Sequence, residues 1–293
     1  MALSKSLTRL VTGVGIGFTA FFAILMGGLP LTILCLFIVF LGSKEYTKIL
    51  ENKGFTPSFK IIIASSLIFA LIAYFNRLDL LPLAFTISTF MAFMWVLFKG
   101  KQPYIANVAT TILGFVYCGW FPLHLLLLRD IGCCEPIYHG WLKINPSFEG
   151  AAYAILLLVC VILTDSFCYY AGMQFGKHKL AEVISPNKTI EGAIGGTVMC
   201  VSASLLYGIW AFKLEWYQAL ILGLLIAAFA QIGDLCESMI KRDAGVKDSS
   251  DIIPGHGGFL DRTDSYILTI PIIYYYLEFF VENNFLDILK GLF

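Results

Sequence analysis

Fourteen consecutive residues, Leu220 to Gly233, carry no charge, and comparable apolar runs recur along the whole chain. A bilayer-spanning helix needs about 20 largely apolar residues, because in hydrocarbon the backbone must satisfy its own polar groups. The runs predict nine helical spans, at about 10–27, 29–47, 59–76, 79–98, 105–128, 150–172, 190–212, 216–237 and 264–281. Composition agrees, since 58% of the 293 residues are hydrophobic and 14% are charged, against about 25% charged in soluble domains. The expected fold class is therefore all-α, a polytopic integral membrane protein. A multispan region over 1–149 precedes a second one, 150–293, that carries the polar motifs.

The 20 basic and 20 acidic residues cancel, so overall charge points to no acidic or nucleic-acid partner. Six of the eight cysteines lie within apolar runs, and Cys133 and Cys134 are adjacent in a polar loop. None of these spacings makes a zinc site. The basic head and apolar run of MALSKSLTRLVTGVGIGF read as a retained first span and not as a cleaved signal. With nine spans, fifteen of the 20 lysines and arginines fall on one side, together with the N-terminus and both polar motif loops. Basic loops stay cytoplasmic, so those loops are expected to face the cytoplasm.

The stretch from Gly233 to Ser265 concentrates chemistry between two apolar runs. It holds seven carboxylates, four cationic side chains and the loop Pro254-Gly255-His256-Gly257-Gly258. Asp234, Glu237, Ser238 and Lys241 stand at i, i+3, i+4 and i+7 and share one helical face, with Arg242 one position round. A carboxylate and a hydroxyl one turn apart suit a hard cation, and the next turn's cations suit phosphate. Plain anchoring at the membrane interface also accounts for Lys241 and Arg242. It accounts poorly for Asp234, which follows the long uncharged run, and acids inside a membrane span are functional by default.

Three glycines in five residues allow a loop to turn its N–H groups toward phosphate oxygens, although an ordinary turn would need them as well. Asp261, Asp264 and Ser265 follow near a helix start. Asp264 reads equally as a cap, whereas Asp261, just past the glycines and before Arg262, reads as part of a site. His256 suits binding or a structural role better than base catalysis, because a phosphate oxygen attacking phosphorus is already ionised. A second cluster runs from Asp165 to Glu191. Asp165 lies within a span, Gly172 and Gly176 could permit close helix contact, and Lys177, Lys179 and Lys188 make the following loop basic. Together these parts equip a membrane interface for phosphoryl or nucleotidyl transfer between a soluble nucleotide and a lipid. The residues alone name neither partner.

Ser238–Asp264 reads S-M-I-K-R-x4-K-D-x-S-x2-I-P-G-H-G-G-F-L-D-R-T-D. It closely resembles the signature of the phosphatidate cytidylyltransferases, the CDP-diacylglycerol synthases. Gly233–Ser238 (G-D-L-x-E-S) and Asp165–Thr189 (D-x3-Y-x2-G-x2-F-G-K-x2-L, then S-P-x-K-T) are similar to the same family. Asn187 departs from it, standing where members often carry Lys. The resemblance implies transfer of CMP from CTP to phosphatidic acid, giving CDP-diacylglycerol and pyrophosphate for phospholipid synthesis. It implies that Asp234 and Asp261 hold Mg²⁺, with a monovalent companion such as K⁺ as a further expectation. Asp234, Asp261, Lys241 and Arg242 would be the catalytic set. Ser238 and Lys247 would contact phosphates, and Asp165 and Lys188 would line the pocket. Asp248, Gly255, His256, Gly257, Gly258, Arg262, Asp264, Lys177 and Thr189 complete the expected substrate-binding positions. Membrane lipids, a homodimer and a bacterial inner membrane are implied as partners and location. Two other readings are a lipid-alcohol kinase that moves the γ-phosphate of CTP, and a transporter using Asp165 and Asp234 for a coupling ion.

Overall fold

The computed structural model describes residues 5–132, 137–139, 142–144, 148–250 and 257–282. These form ten α-helices: α1 (Lys5–Met26), α2 (Gly28–Asn52), α3 (Phe59–Tyr74), α4 (Leu81–Lys99), α5 (Tyr104–Gly114), α6 (Phe121–Asp130), α7 (Glu149–Phe175), α8 (Ile190–Phe212), α9 (Trp216–Asp243) and α10 (Leu260–Tyr276). Two antiparallel hairpins join them, β1 (Ile137–His139) with β2 (Leu142–Ile144) and β3 (Lys179–Ala181) with β4 (Ser185–Thr189). A π-helical segment, Phe115–Trp120, links α5 to α6 without a break.

Each of the nine apolar runs coincides with helix, so the all-α membrane class holds. Six segments are long and apolar enough to cross a membrane: Gly28–Asn52, Leu78–Lys99, Tyr104–Asp130, Glu149–Phe175, Ile190–Phe212 and Trp216–Asp243. Gly13–Met26 and Phe59–Tyr74 are shorter apolar helices. One detail differs from the sequence expectation. The basic loop after α7 is partly a hairpin, with Lys179 opposite Thr189 and Ala181 opposite Ser185. Helix α9 runs past its apolar stretch to Asp243, so Lys241 and Arg242 lie on the helix, as their spacing implied. It stops there because Gly245 takes φ +72°, a conformation other residues adopt at a cost. The N–H of Val246 then bonds to Lys241 O and that of Gly245 to Arg242 O, a C-terminal arrangement that satisfies orphan carbonyls.

The chain forms two compact units, Met1–Leu127 with Pro136–Asn145 and Ile240–Thr263, and Leu128–Glu135 with Pro146–Met239 and Asp264–Phe293. In the first unit, Phe69 of α3 packs against Phe85, Phe115 and Trp120 at ring distances of 4.6, 5.9 and 5.6 Å. Such aromatic packing adds to the burial of apolar area. The turn before α3 is pinned by α5, where Asn107 Oδ1 accepts from Thr56 N and Thr111 Oγ1 accepts from Ser58 N. Tyr46 of α2 donates to Thr110 O at 2.9 Å.

In the second unit α7 and α8 lie unusually close. A Cβ on Gly196 would stand 2.3 Å from Cys168 Sγ and 2.7 Å from Thr164 O, so only glycine admits this approach. The close seam thus runs along α8 as well as at Gly172, which faces Gly192 and Thr189. Ser204 of α8 donates to Ala219 O of α9 at 2.7 Å, and Gln231 Nε2 of α9 donates to Thr197 Oγ1 at 3.1 Å. Large apolar side chains such as Ile194, Val198, Leu206 and Trp210 remain exposed on α8, as a lipid-facing helix requires.

Candidate active site

In the first unit the end of α9 meets the start of α10. Lys241 Nζ lies 2.6 Å from Asp261 Oδ1, with 11% and 12% of the two side chains exposed. The other oxygen, Oδ2, accepts from Ser249 Oγ at 3.0 Å, Ser249 N at 3.1 Å and Gly258 N at 3.0 Å. Asp261 therefore serves both as the acceptor of an ammonium and as the organiser of its own loop. Charge-assisted bonds of this kind are about twice as strong as neutral ones. Arg242 donates to Val246 O, and Lys53 reaches Asp243 at 2.6 Å and its carbonyl at 2.8 Å. A cation at a helix C-terminus is favoured by the helix dipole.

Two glycines of the loop are required for different reasons. Gly257 has φ +83°, and a Cβ on Gly258 would fall 1.7 Å from Ser249 Oγ and 2.9 Å from Asp261 Oδ2. Gly255, His256 and Asp251 lie outside the described residues. Lys247, Asp248, Arg242 and Arg262 have exposed side chains.

A third carboxylate belongs to the same cluster. Glu45 of α2 is 1% exposed. Its Oε2 accepts from Ser249 Oγ at 3.2 Å and Leu260 N at 2.6 Å. Its Oε1 accepts from Ser250 Oγ and from Phe259 N at 2.9 Å. The N–H groups of Phe259 and Leu260 open α10 and have no partner within the helix.

In the second unit Lys188 of β4 lies 2.7 Å from Asp234 Oδ2 on α9, with 25% and 33% of the side chains exposed. Ser238, one turn beyond, donates to Asp234 Oδ1 at 3.4 Å. Glu237, between them in sequence, is fully buried. The hairpin that presents Lys188 is fixed by Glu191, which accepts from the backbone N–H groups of Lys177 and His178 and pairs with His178 Nδ1 at 2.6 Å. Thr189 caps α8 through Gly192 N at 3.2 Å. The side chains of Lys177 and Asp165 are exposed, whereas Asp264 is buried.

Each carboxylate assigned to metal by resemblance thus has a lysine against it: Asp234 has Lys188 and Asp261 has Lys241. Among the described residues no group of three or more His, Cys, Asp or Glu side chains is placed to hold a metal. The donors present are carboxylate and hydroxyl oxygens, which suit Mg²⁺. This ion usually takes one or two protein carboxylates and fills its other positions with water and substrate phosphate. The donor set fits that ion.

Of the residues named from sequence, the structure pairs Lys241 with Asp261, and Asp234 with Lys188 and Ser238; Glu45 and Ser249, which bond to the same loop, were not named. Glu45 sits in S-K-E-Y-T-K, where flanking lysines make it look like ordinary interfacial charge. Its position inside α2 was the available signal, because a carboxylate within an apolar helix needs a reason.

Residues 7–280 match the model of the cytidylyltransferase family. The chain is 35% identical over 274 residues to a phosphatidate cytidylyltransferase of Synechocystis, covering 88% of this chain and 92% of that protein. It is 32% identical over 282 residues to the phosphatidate cytidylyltransferase of Bacillus subtilis, with 93% and 97% covered. A chloroplastic phosphatidate cytidylyltransferase of Arabidopsis thaliana is 35% identical over 297 residues, with 92% and 73% covered. Likeness over nearly the whole length places this chain in the cytidylyltransferase family.

Proposed function

We propose that the chain transfers CMP from CTP to phosphatidic acid, giving CDP-diacylglycerol and pyrophosphate. The observation that carries this reading is the meeting of Lys241 and Asp261 at 2.6 Å beside a glycine loop, in a chain whose curated relatives bear the name of that activity. An oxygen of the lipid phosphate attacks the α-phosphorus of CTP. The new P–O bond forms as the bond to the β-phosphate breaks, and pyrophosphate leaves. No base stronger than the phosphate itself is needed, so the protein contributes positioning and charge.

Lys241 in the first unit and Lys188 in the second would each supply positive charge toward phosphate, as would the exposed Arg242 and Lys247. The N–H groups of the loop and Ser238 complete the binding set. By the family resemblance, Asp234 and Asp261 are the carboxylates that would hold Mg²⁺, which would supply charge to offset that developing on the transferring phosphate. In this reading the motif loops face the cytoplasm, the chain crosses a bacterial inner membrane, and two copies associate.

The test uses purified protein and CTP labelled in either the α- or the γ-phosphate. Label retained in lipid from the α position, with pyrophosphate released only when phosphatidic acid is present, supports the proposal. Retention from the γ position assigns a kinase instead, and absence of any CTP turnover removes the reading.

A further inference from the structure

We propose that Glu45 is a positioning residue for the transfer reaction. It ties Ser249 and Ser250 to Phe259 and Leu260, so that Asp261 is held in one orientation. This inference rests on the activity proposed above, and the geometry behind it is independent of that activity.

A carboxylate buried in an apolar helix is costly unless it is well paired. Among the described residues Glu45 meets that requirement without an ammonium or guanidinium, since each of its four partners there is a neutral donor. All four belong to the motif segment, more than 200 positions further along the chain. The pairing is crossed. Oε1 takes one bond from the start of the segment, Ser250, and one from its end, Phe259. Oε2 likewise takes one from Ser249 and one from Leu260. The chain therefore leaves and returns on the same side chain, and each oxygen ties one end to the other.

The consequence falls on the next residue. Asp261 follows Leu260 directly, and its Oδ2 shares Ser249 Oγ with Glu45. Release of Phe259 and Leu260 would free the first turn of α10 and with it the frame that aims Asp261 at Lys241. Displacement of a reacting group's support by about 1 Å can cost about 100-fold in rate. Glutamine cannot replace Glu45 here. Whichever way its amide is turned, the NH₂ faces one backbone N–H and one hydroxyl, and the backbone donor loses its acceptor.

The experiment compares wild-type protein, Glu45→Gln, Glu45→Asp and Ser250→Ala, each purified in detergent, by steady-state kinetics and by hydrogen exchange. Glu45→Gln is expected to lower kcat about 100-fold, with KM for CTP and for phosphatidic acid within about threefold of wild type. Peptides covering 249–260 should exchange at least about tenfold faster, while those of α7 and α8 keep their protection. Glu45→Asp keeps the charge and should recover part of the loss. Ser250→Ala removes a single bond and should move kcat and exchange in the same direction by a smaller factor. If Glu45→Gln does not purify as a single species, the Ser250→Ala result decides. Wild-type kcat with unaltered exchange at 249–260, in Glu45→Gln or failing that in Ser250→Ala, overturns the proposal. So does a fall in protection spread over all helices, which would make Glu45 a general stability residue. A wild-type protein without CMP transfer defeats the function proposed above, whereas the exchange pattern reports on the clamp by itself.

Discussion

Lys241 and Asp261 stand 20 residues apart in sequence and meet at 2.6 Å with nearly nine-tenths of each side chain buried. A pair this buried gains little over an apolar replacement, yet removal of one member takes away the opposite charge that offsets the other's burial. Asp261→Asn and Lys241→Met should each destabilise the protein by about 3–5 kcal/mol. The double variant should recover part of that loss, and all three should fail to transfer CMP. Thermal midpoints of the purified variants check this. Single variants with wild-type midpoints would mean that the pair is solvated and that Asp261 is held by its loop alone.

Lys188 and Asp234 are paired at a similar distance but are about a quarter and a third exposed. Solvent weakens such a pair to about 1 kcal/mol or less. Asp234→Asn should therefore leave the thermal midpoint close to wild type and still lower turnover by about 10²–10³-fold. Equal loss of stability in Asp234→Asn and Asp261→Asn would contradict the difference in burial.

Gly258→Ala and Gly245→Ala separate two kinds of glycine requirement. A methyl at 258 would collide with Ser249 Oγ, while nothing lies within 4 Å of a methyl at 245 and only its φ of +72° resists. The second change should cost about 1 kcal/mol and leave turnover within a fewfold of wild type. The first should lower turnover by about 100-fold or more. Comparable kinetics for the two variants would show that the loop yields easily around position 258.

Asn187 is exposed on β4 next to Lys188. Introducing a cation by Asn187→Lys should lower KM for CTP in low salt and lose the advantage as salt screens it, over about 10 Å at 0.1 M. Titration of KM against ionic strength measures this, and a salt-independent KM places residue 187 away from the nucleotide.

Much of the fold was legible because lipid imposes one solution on apolar runs, and every run became helix. The face carrying Asp234, Ser238 and Lys241 was legible because helical spacing is local. What was not legible came from elsewhere in the chain. Glu45 reaches Leu260 across 215 positions, and nothing local to S-K-E-Y-T-K announces that bond. The sequence also presented Asp234 and Asp261 as bare ligands, whereas each meets a lysine, one of them brought in by a hairpin hidden within a basic loop.

Ser249 has one hydroxyl hydrogen and two carboxylates within reach, Glu45 at 3.2 Å and Asp261 at 3.0 Å. At any moment only one of them can receive it fully. The one hydrogen is therefore divided between a carboxylate of α2 and the carboxylate at the start of α10, so the charge on Asp261 sets how far that hydrogen is drawn toward Glu45.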